Sequence, residues 1–202
     1  MNLAREKAIA LLFMDASHFV MGCDFLGSIY GKVRRFVRTG SGRKRYNVLG
    51  ALNFMTKKLT TVTNDTYITS TQVCELLRRL AIEYAGLPLY IVLDNASYQK
   101  CFLVRDLAKE LGINLVYIPA YSPNLNLIER YWKFVKSKLR IQYYSVFDVF
   151  RNMIDAIVDA ADTKHKHDLD KLISENVQLF DDLLKQETNP AIYQTSSSKM
   201  VA

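Results

Sequence analysis

Three short stretches of this chain are apolar almost without interruption: residues 9–14, 89–93 and 113–118. Runs of this length suit strands buried on both faces, as in a parallel sheet covered by helices. Segments 19–25, 32–37 and 46–54, joined by loops that carry Gly27, Gly31, Gly40 and Gly42, are expected as antiparallel strands. Between and after them the period changes. Val73, Leu76, Leu77, Leu80, Ala81 and Tyr84 fall at helical spacing and form one apolar stripe, with Gly86 and Pro88 to stop the helix. A second helix is expected over 102–111, ended by Gly112, and a third from about Pro123–Asn124 to Arg140. Further helices are expected within 146–161 and 168–186, followed from Thr188 by a polar, Ser-rich end that predicts a loose tail. The order of strands and helices predicts a layered α/β domain.

Composition adds little beyond this. Half of the residues are hydrophobic and 23% are charged, as in ordinary globular chains. No run reaches the ~18 apolar residues of a membrane span. The first apolar run is followed at once by Asp15 without a cleavage signal, so a buried strand is favoured over a signal peptide. Cys23, Cys74 and Cys101 are scattered and odd in number, which predicts free thiols in a reducing compartment rather than disulfides or a zinc site.

Charge changes the picture more. The formal net charge is +7, but residues 1–145 carry 21 Lys and Arg against 10 Asp and Glu, and residues 146–202 carry 6 against 10. A basic body with an acidic end suggests a polyanion partner for the first part, with a solvated basic surface as the plain alternative. Seven cations (Lys32, Arg34, Arg35, Arg38, Arg43, Lys44 and Arg45) fall within 14 positions. Such a cluster suits phosphate contacts that give affinity without reading sequence.

The candidate chemistry lies in three acids. Two apolar runs end at an aspartate, Asp15 and Asp94. Carboxyl ends of neighbouring strands converge on one edge of an α/β sheet. Two carboxylates buried together are costly unless a hard divalent cation sits between them. The alternative is that each caps a turn. Glu129 stands in the first turn of the third expected helix, off its apolar stripe of Leu127 or Ile128, Tyr131, Val135 and Leu139 and in phase with Trp132, Lys133 and Lys136. It could complete a three-acid site, or it could be a first-turn glutamate favoured by the helix dipole and paired with Lys133. Tyr121 and Trp132 could stack on a distorted base or pack in the core, and for Trp132 the core is expected. A structural role is expected for His18. No Gly-rich phosphate loop follows any strand, which argues against a nucleotide-binding domain.

Taken together, Phe13-Met14-Asp15, Val92-Leu93-Asp94-Asn95-Ala96 and the stretch from Ile118-Pro119-Ala120-Tyr121-Ser122-Pro123 through Asn124-Leu125-Asn126-Leu127-Ile128-Glu129 to Trp132 resemble the DDE transposases of bacterial insertion sequences in the mariner-like superfamily. The 34 residues between Asp94 and Glu129 match that branch, and the resemblance covers about 8–142. It implies a ribonuclease H-like fold, a five-stranded mixed sheet flanked by helices, with extra C-terminal helices. The boundaries expected are a catalytic domain over 1–145, a helical extension over 146–187 and a tail over 188–202.

The resemblance also implies Asp15, Asp94 and Glu129 as catalytic residues and ligands of two Mg²⁺ or Mn²⁺ ions, supported by Asn95 and Asn126. DNA would be held by Arg34, Arg35, Arg38, Arg43, Lys44, Arg45, Arg130, Lys133 and Lys136. The implied activity is phosphodiester cleavage and strand transfer at transposon ends, by a dimer or larger assembly on DNA, in the bacterial cytoplasm near the nucleoid. The chain departs from the family's usual pattern at Ala16, where a second acid is common, at Gln99, where histidine is common, and at Leu127, where proline is common. Only 14 residues precede Asp15. End recognition is therefore expected from a separate helix-turn-helix polypeptide or upstream frame. The alternatives are a decayed or domesticated transposase that only binds DNA or a partner, and a ribonuclease H-like nuclease with another substrate, such as a junction resolvase.

Overall fold

The computed structural model describes residues 8–21, 44–119, 125–140 and 144–174. Its elements are β1 (Ala10–Val20), β2 (Arg45–Asn53), β3 (Leu59–Asn64), α1 (Ser70–Glu83), β4 (Leu89–Leu93), α2 (Ser97–Lys100), α3 (Phe102–Glu110), β5 (Ile113–Tyr117), α4 (Ile128–Leu139), α5 (Phe147–Asp159) and α6 (Lys166–Ser174). The strands form one mixed sheet in the order β3-β2-β1-β4-β5. The pairs β1–β2 and β2–β3 are antiparallel; β1–β4 and β4–β5 are parallel. The three apolar runs read from the sequence are β1, β4 and β5, the parallel part that helices cover on both sides.

Side chains alternate across the sheet, so each strand feeds two cores. Leu12, Met14, Leu49, Ile91 and Leu93 pack under α1 and α3. Leu11, Phe13, Val48, Leu52 and Val92 pack under α4, α5 and α6 together with Trp132, Phe150, Ile154 and Leu169. The stripe from Val73 to Leu80 is the buried face of α1, which starts with a capping box between Thr69 and Gln72. Gly86 and Gly112 follow α1 and α3 with φ of 86° and 67°. That left-handed conformation lets the chain leave a helix abruptly, and only glycine adopts it without strain.

The structure departs from the sequence expectation in three places. No separate strand begins at Phe19, because β1 runs on through Asp15 to Val20, paired with β2. The outer antiparallel strand is β3, from Leu59 to Asn64, which the sequence pattern did not mark. Helix α4 begins at Ile128 rather than near Pro123. The expected strand over 32–37 lies outside the described residues. No helix among the described residues is long and apolar enough to cross a membrane.

Candidate active site

The sheet register brings the first two acids together. β1 pairs with β4 only as far as Met14 opposite Leu93, where β4 ends. Beyond that point β1 keeps only its β2 partner, with Asp15 opposite Gly50. Asp15 is thus not at the end of its strand but at the end of one of its ladders, where the sheet opens. Phe13 and Val92 are paired and face the core beneath α4. Asp15 and Asp94, two residues further along each chain, continue toward the same side.

Helix α4 carries Glu129 in its first turn, and the helix is fixed to β1 by Asn126, whose buried amide donates to the Met14 carbonyl at 3.1 Å. Asn95 performs a similar service on the other side by donating to the Ile118 carbonyl, which ties the end of β4 to the end of β5.

The electrostatics register this convergence. The carboxyl of Asp15 is pushed up to about 7 from an ordinary 3.8, chiefly by burial and further by the charges of Asp94 and Glu129. The Ala16 backbone N–H works in the opposite direction, as does the Trp132 indole. Among the described residues Trp132 Nε1 makes no hydrogen bond of good geometry, so its influence on Asp15 is a weak one. Glu129 is also raised, first by burial and then by Asp94, against the opposing charge of Lys133. Burial, with Asp15 and Asp94 nearby, pushes the Tyr98 phenol up to about 12.

The charge of Asp94 acts on both Asp15 and Glu129, and acids grouped in this way suit a hard divalent cation, which prefers carboxylate oxygens and cancels their repulsion. Among the described residues, no three ligating side chains stand close enough as placed to enclose one ion.

Around the acids lie further residues, of which Gly50 was not singled out by the pattern of the sequence. Gly50 leaves room for the indole of Trp132: a Cβ at this position would sit 3.0 Å from two carbons of that ring. Trp132 is buried, stacks edge-on against Phe19 and Tyr131, and serves the core as expected. Gln99, noted in the sequence only as a departure, is fully buried beside Asp94. His18 bonds to Asn47 at 2.6 Å on the outer half of β1, a structural contact.

The expected DNA-binding residues are placed unequally. Lys133 is exposed on α4 next to Glu129. Arg130 donates to the Leu172 carbonyl of α6 at 3.0 Å. Lys136 lies over the Phe19 ring, Lys44 over Phe147 and Arg45 over Tyr67. Arg34, Arg35, Arg38, Arg43 and Tyr121 lie outside the described residues.

A five-stranded sheet in this order, with helices on both faces and acids at the opening between β1 and β4, is a ribonuclease H-like domain. The chain belongs to the DDE superfamily endonuclease family, whose model matches residues 10–151. Among solved structures, the Mos1 transposase strand transfer complex is similar over 94% of this chain and 59% of the Mos1 chain, with 13% identity and a TM-score of 0.65. The Mos1 paired-end complex with the left transposon end matches over 86% and 57%, at 14% identity and a TM-score of 0.58. A chain of the simian T-cell lymphotropic virus intasome, solved with the PP2A regulatory subunit B56 gamma, matches over 74% and 47%, at 16% identity and a TM-score of 0.50. The chain thus spans about half to three fifths of the length of these relatives. No curated protein matches.

Proposed function

We propose that this chain is the catalytic domain of a DNA transposase, which cuts phosphodiester bonds at transposon ends and joins the freed 3′ ends to target DNA. The observation that carries the reading is the place of Asp15 and Asp94, each one residue past the Met14–Leu93 pair that ends the β1–β4 ladder, with Glu129 near enough for its charge to act on Asp15. Membership of an endonuclease family and the likeness to transposase and intasome folds support it. Asp15 and Asp94 would be the central ligands of two Mg²⁺ or Mn²⁺ ions, with Glu129 closing the set from α4. Ions bound there would supply a nucleophile at neutral pH and neutralise charge on the phosphodiester. Asn126 and Asn95 hold the acids' backbones in register through the Met14 and Ile118 carbonyls.

Lys133 would meet the phosphate backbone beside Glu129, and the basic segment of Arg34, Arg35, Arg38, Arg43, Lys44 and Arg45 would extend the contact. Arg130 is better placed to hold α6 than DNA. The working unit would be a dimer or larger assembly on DNA.

The direct test is nicking of supercoiled or end-containing DNA in the presence of Mg²⁺. Asp94→Asn is expected to abolish nicking while circular dichroism and unfolding stay native-like. Nicking retained by the variant would remove Asp94 from the chemistry. Cutting of unrelated DNA branches in preference to element ends would move the reading to another ribonuclease H-like nuclease.

A further inference from the structure

Gln99 sits in the four-residue helix α2, five positions after Asp94, and its side chain is fully buried. Its amide nitrogen faces Asp94, donating to the main-chain carbonyl at 3.1 Å and to Oδ1 at 2.5 Å. The reverse orientation would set the amide oxygen against those same two oxygens, acceptor against acceptor, which fixes the assignment. The Ala96 N–H also donates to Oδ1, at 3.0 Å.

The backbone of Gln99 is held on both sides: its N–H donates to the Ala96 carbonyl at 3.0 Å, and its carbonyl accepts from the Tyr117 hydroxyl of β5 at 3.0 Å. One oxygen of Asp94 therefore has two donors on a clamped segment. Among the described residues, Oδ2 receives none.

We propose that Gln99 is the positioning residue for Asp94: with the Ala96 N–H it saturates Oδ1 and leaves Oδ2 as the single oxygen offered to a divalent cation. Groups of this kind, which orient a ligand without touching the metal, fix its rotamer and tune its affinity. A glutamine does so with an N–H donor and no charge, so it aims the carboxylate without adding to or cancelling the negative charge of the site. The proposal rests on the reading of Asp15, Asp94 and Glu129 as metal ligands.

The test is Mn²⁺ binding by calorimetry on the full chain, with no turnover involved. Gln99→Met keeps the length of the side chain and removes the donor. Its affinity for Mn²⁺ is expected to fall about 10–100-fold with the far-UV spectrum unchanged. Gln99→His, which restores a ring N–H, is expected to recover most of that loss. A Gln99→Met chain that binds Mn²⁺ as the native chain does would overturn the proposal, since a packing role needs no donor.

A second measurement needs no change at Gln99. The two side-chain amide protons of Gln99 should differ in NMR shift, and Asp94→Asn should move the one bound to Oδ1. Protons that do not respond would also overturn it. If the native chain and Asp94→Asn bind Mn²⁺ alike, the three-acid reading itself fails and the Gln99 proposal falls with it. If only Gln99→Met is silent, the acids stand and Gln99 does not.

Discussion

The most informative single residue is Asp15, because its environment turns a sequence position into a measurable pH dependence. Unfolded, its carboxyl ionises near 3.8; folded, near 7. Between those values the folded chain keeps a proton that the unfolded chain has lost. The contribution to stability is therefore complete below about pH 4 and is lost as pH rises through about 7. The cost above that window is on the order of 4 kcal/mol. Glu129 shifts in the same direction, mainly through burial, and adds to the trend.

Asp15→Asn removes the titration. In chelator at pH 8 the variant is expected to unfold at a higher temperature than the native chain, and the difference should vanish near pH 4. Mg²⁺ should restore the native chain at pH 8 and do little for the variant. Thermal unfolding across pH 4–8, with and without the ion, checks all three expectations. Asp15, Asp94 and Glu129 were legible in the sequence as candidates because acids that end apolar runs or stand in the first turn of a helix are conspicuous. Gln99 was not, because a glutamine has no periodic signature and its meaning lies in the donor it offers to Asp94.

At the scale of elements, the site depends on where ladders stop. β4 ends at Leu93 while β1 continues for six residues beyond Met14, so Asp15 lies at an opening in the sheet. The polar stretch Asp15-Ala16-Ser17-His18 read as the end of a strand. It is held in the sheet by β2, with Ser17 buried and His18 bonded to Asn47. β3 escaped notice for a related reason. It is an edge strand of four polar residues among six, with Val62 its one buried side chain, so it has neither an apolar run nor a clear alternation.

Gly50 couples β2 to α4, because Trp132 occupies the space a side chain would need. The Gly50→Ala methyl meets a rigid ring packed on Phe19 and Tyr131 rather than the loose end of a flexible chain. The substitution is expected to cost about 1–3 kcal/mol, read from denaturant midpoints. It should also weaken Mn²⁺ binding, because α4 carries Glu129.

For the whole molecule, the second core decides what can be removed. α5 and α6 contribute Phe150, Ile154, Ile157, Val158, Leu169 and Ile173 to the same cluster as Phe13, Tyr131 and Trp132. Phe150 is 1% exposed. Phe150→Ala is therefore expected to destabilise by about 3–5 kcal/mol. Chemical unfolding should show one cooperative transition that includes the sheet, rather than a separate loss of the C-terminal helices.

DNA affinity is a second property of the whole surface. Lys133→Ala is expected to weaken binding about equally for all duplex sequences. It should lower the slope of log affinity against log salt by about 1, which filter binding over a salt series would measure.

The sequence by itself determined the parallel half of the sheet and the principal helices, and marked the three acids as candidates, because each is written in local features: unbroken apolar runs, helical periodicity and carboxylates at their ends. Only the tertiary structure decided that β1 runs past Asp15, that Trp132 fills the place of a Gly50 side chain, that Arg130 serves α6, and that Gln99 holds Asp94. These depend on which segments become neighbours, and burial, hydrogen bonding and charge coupling act across contacts between residues far apart in the chain.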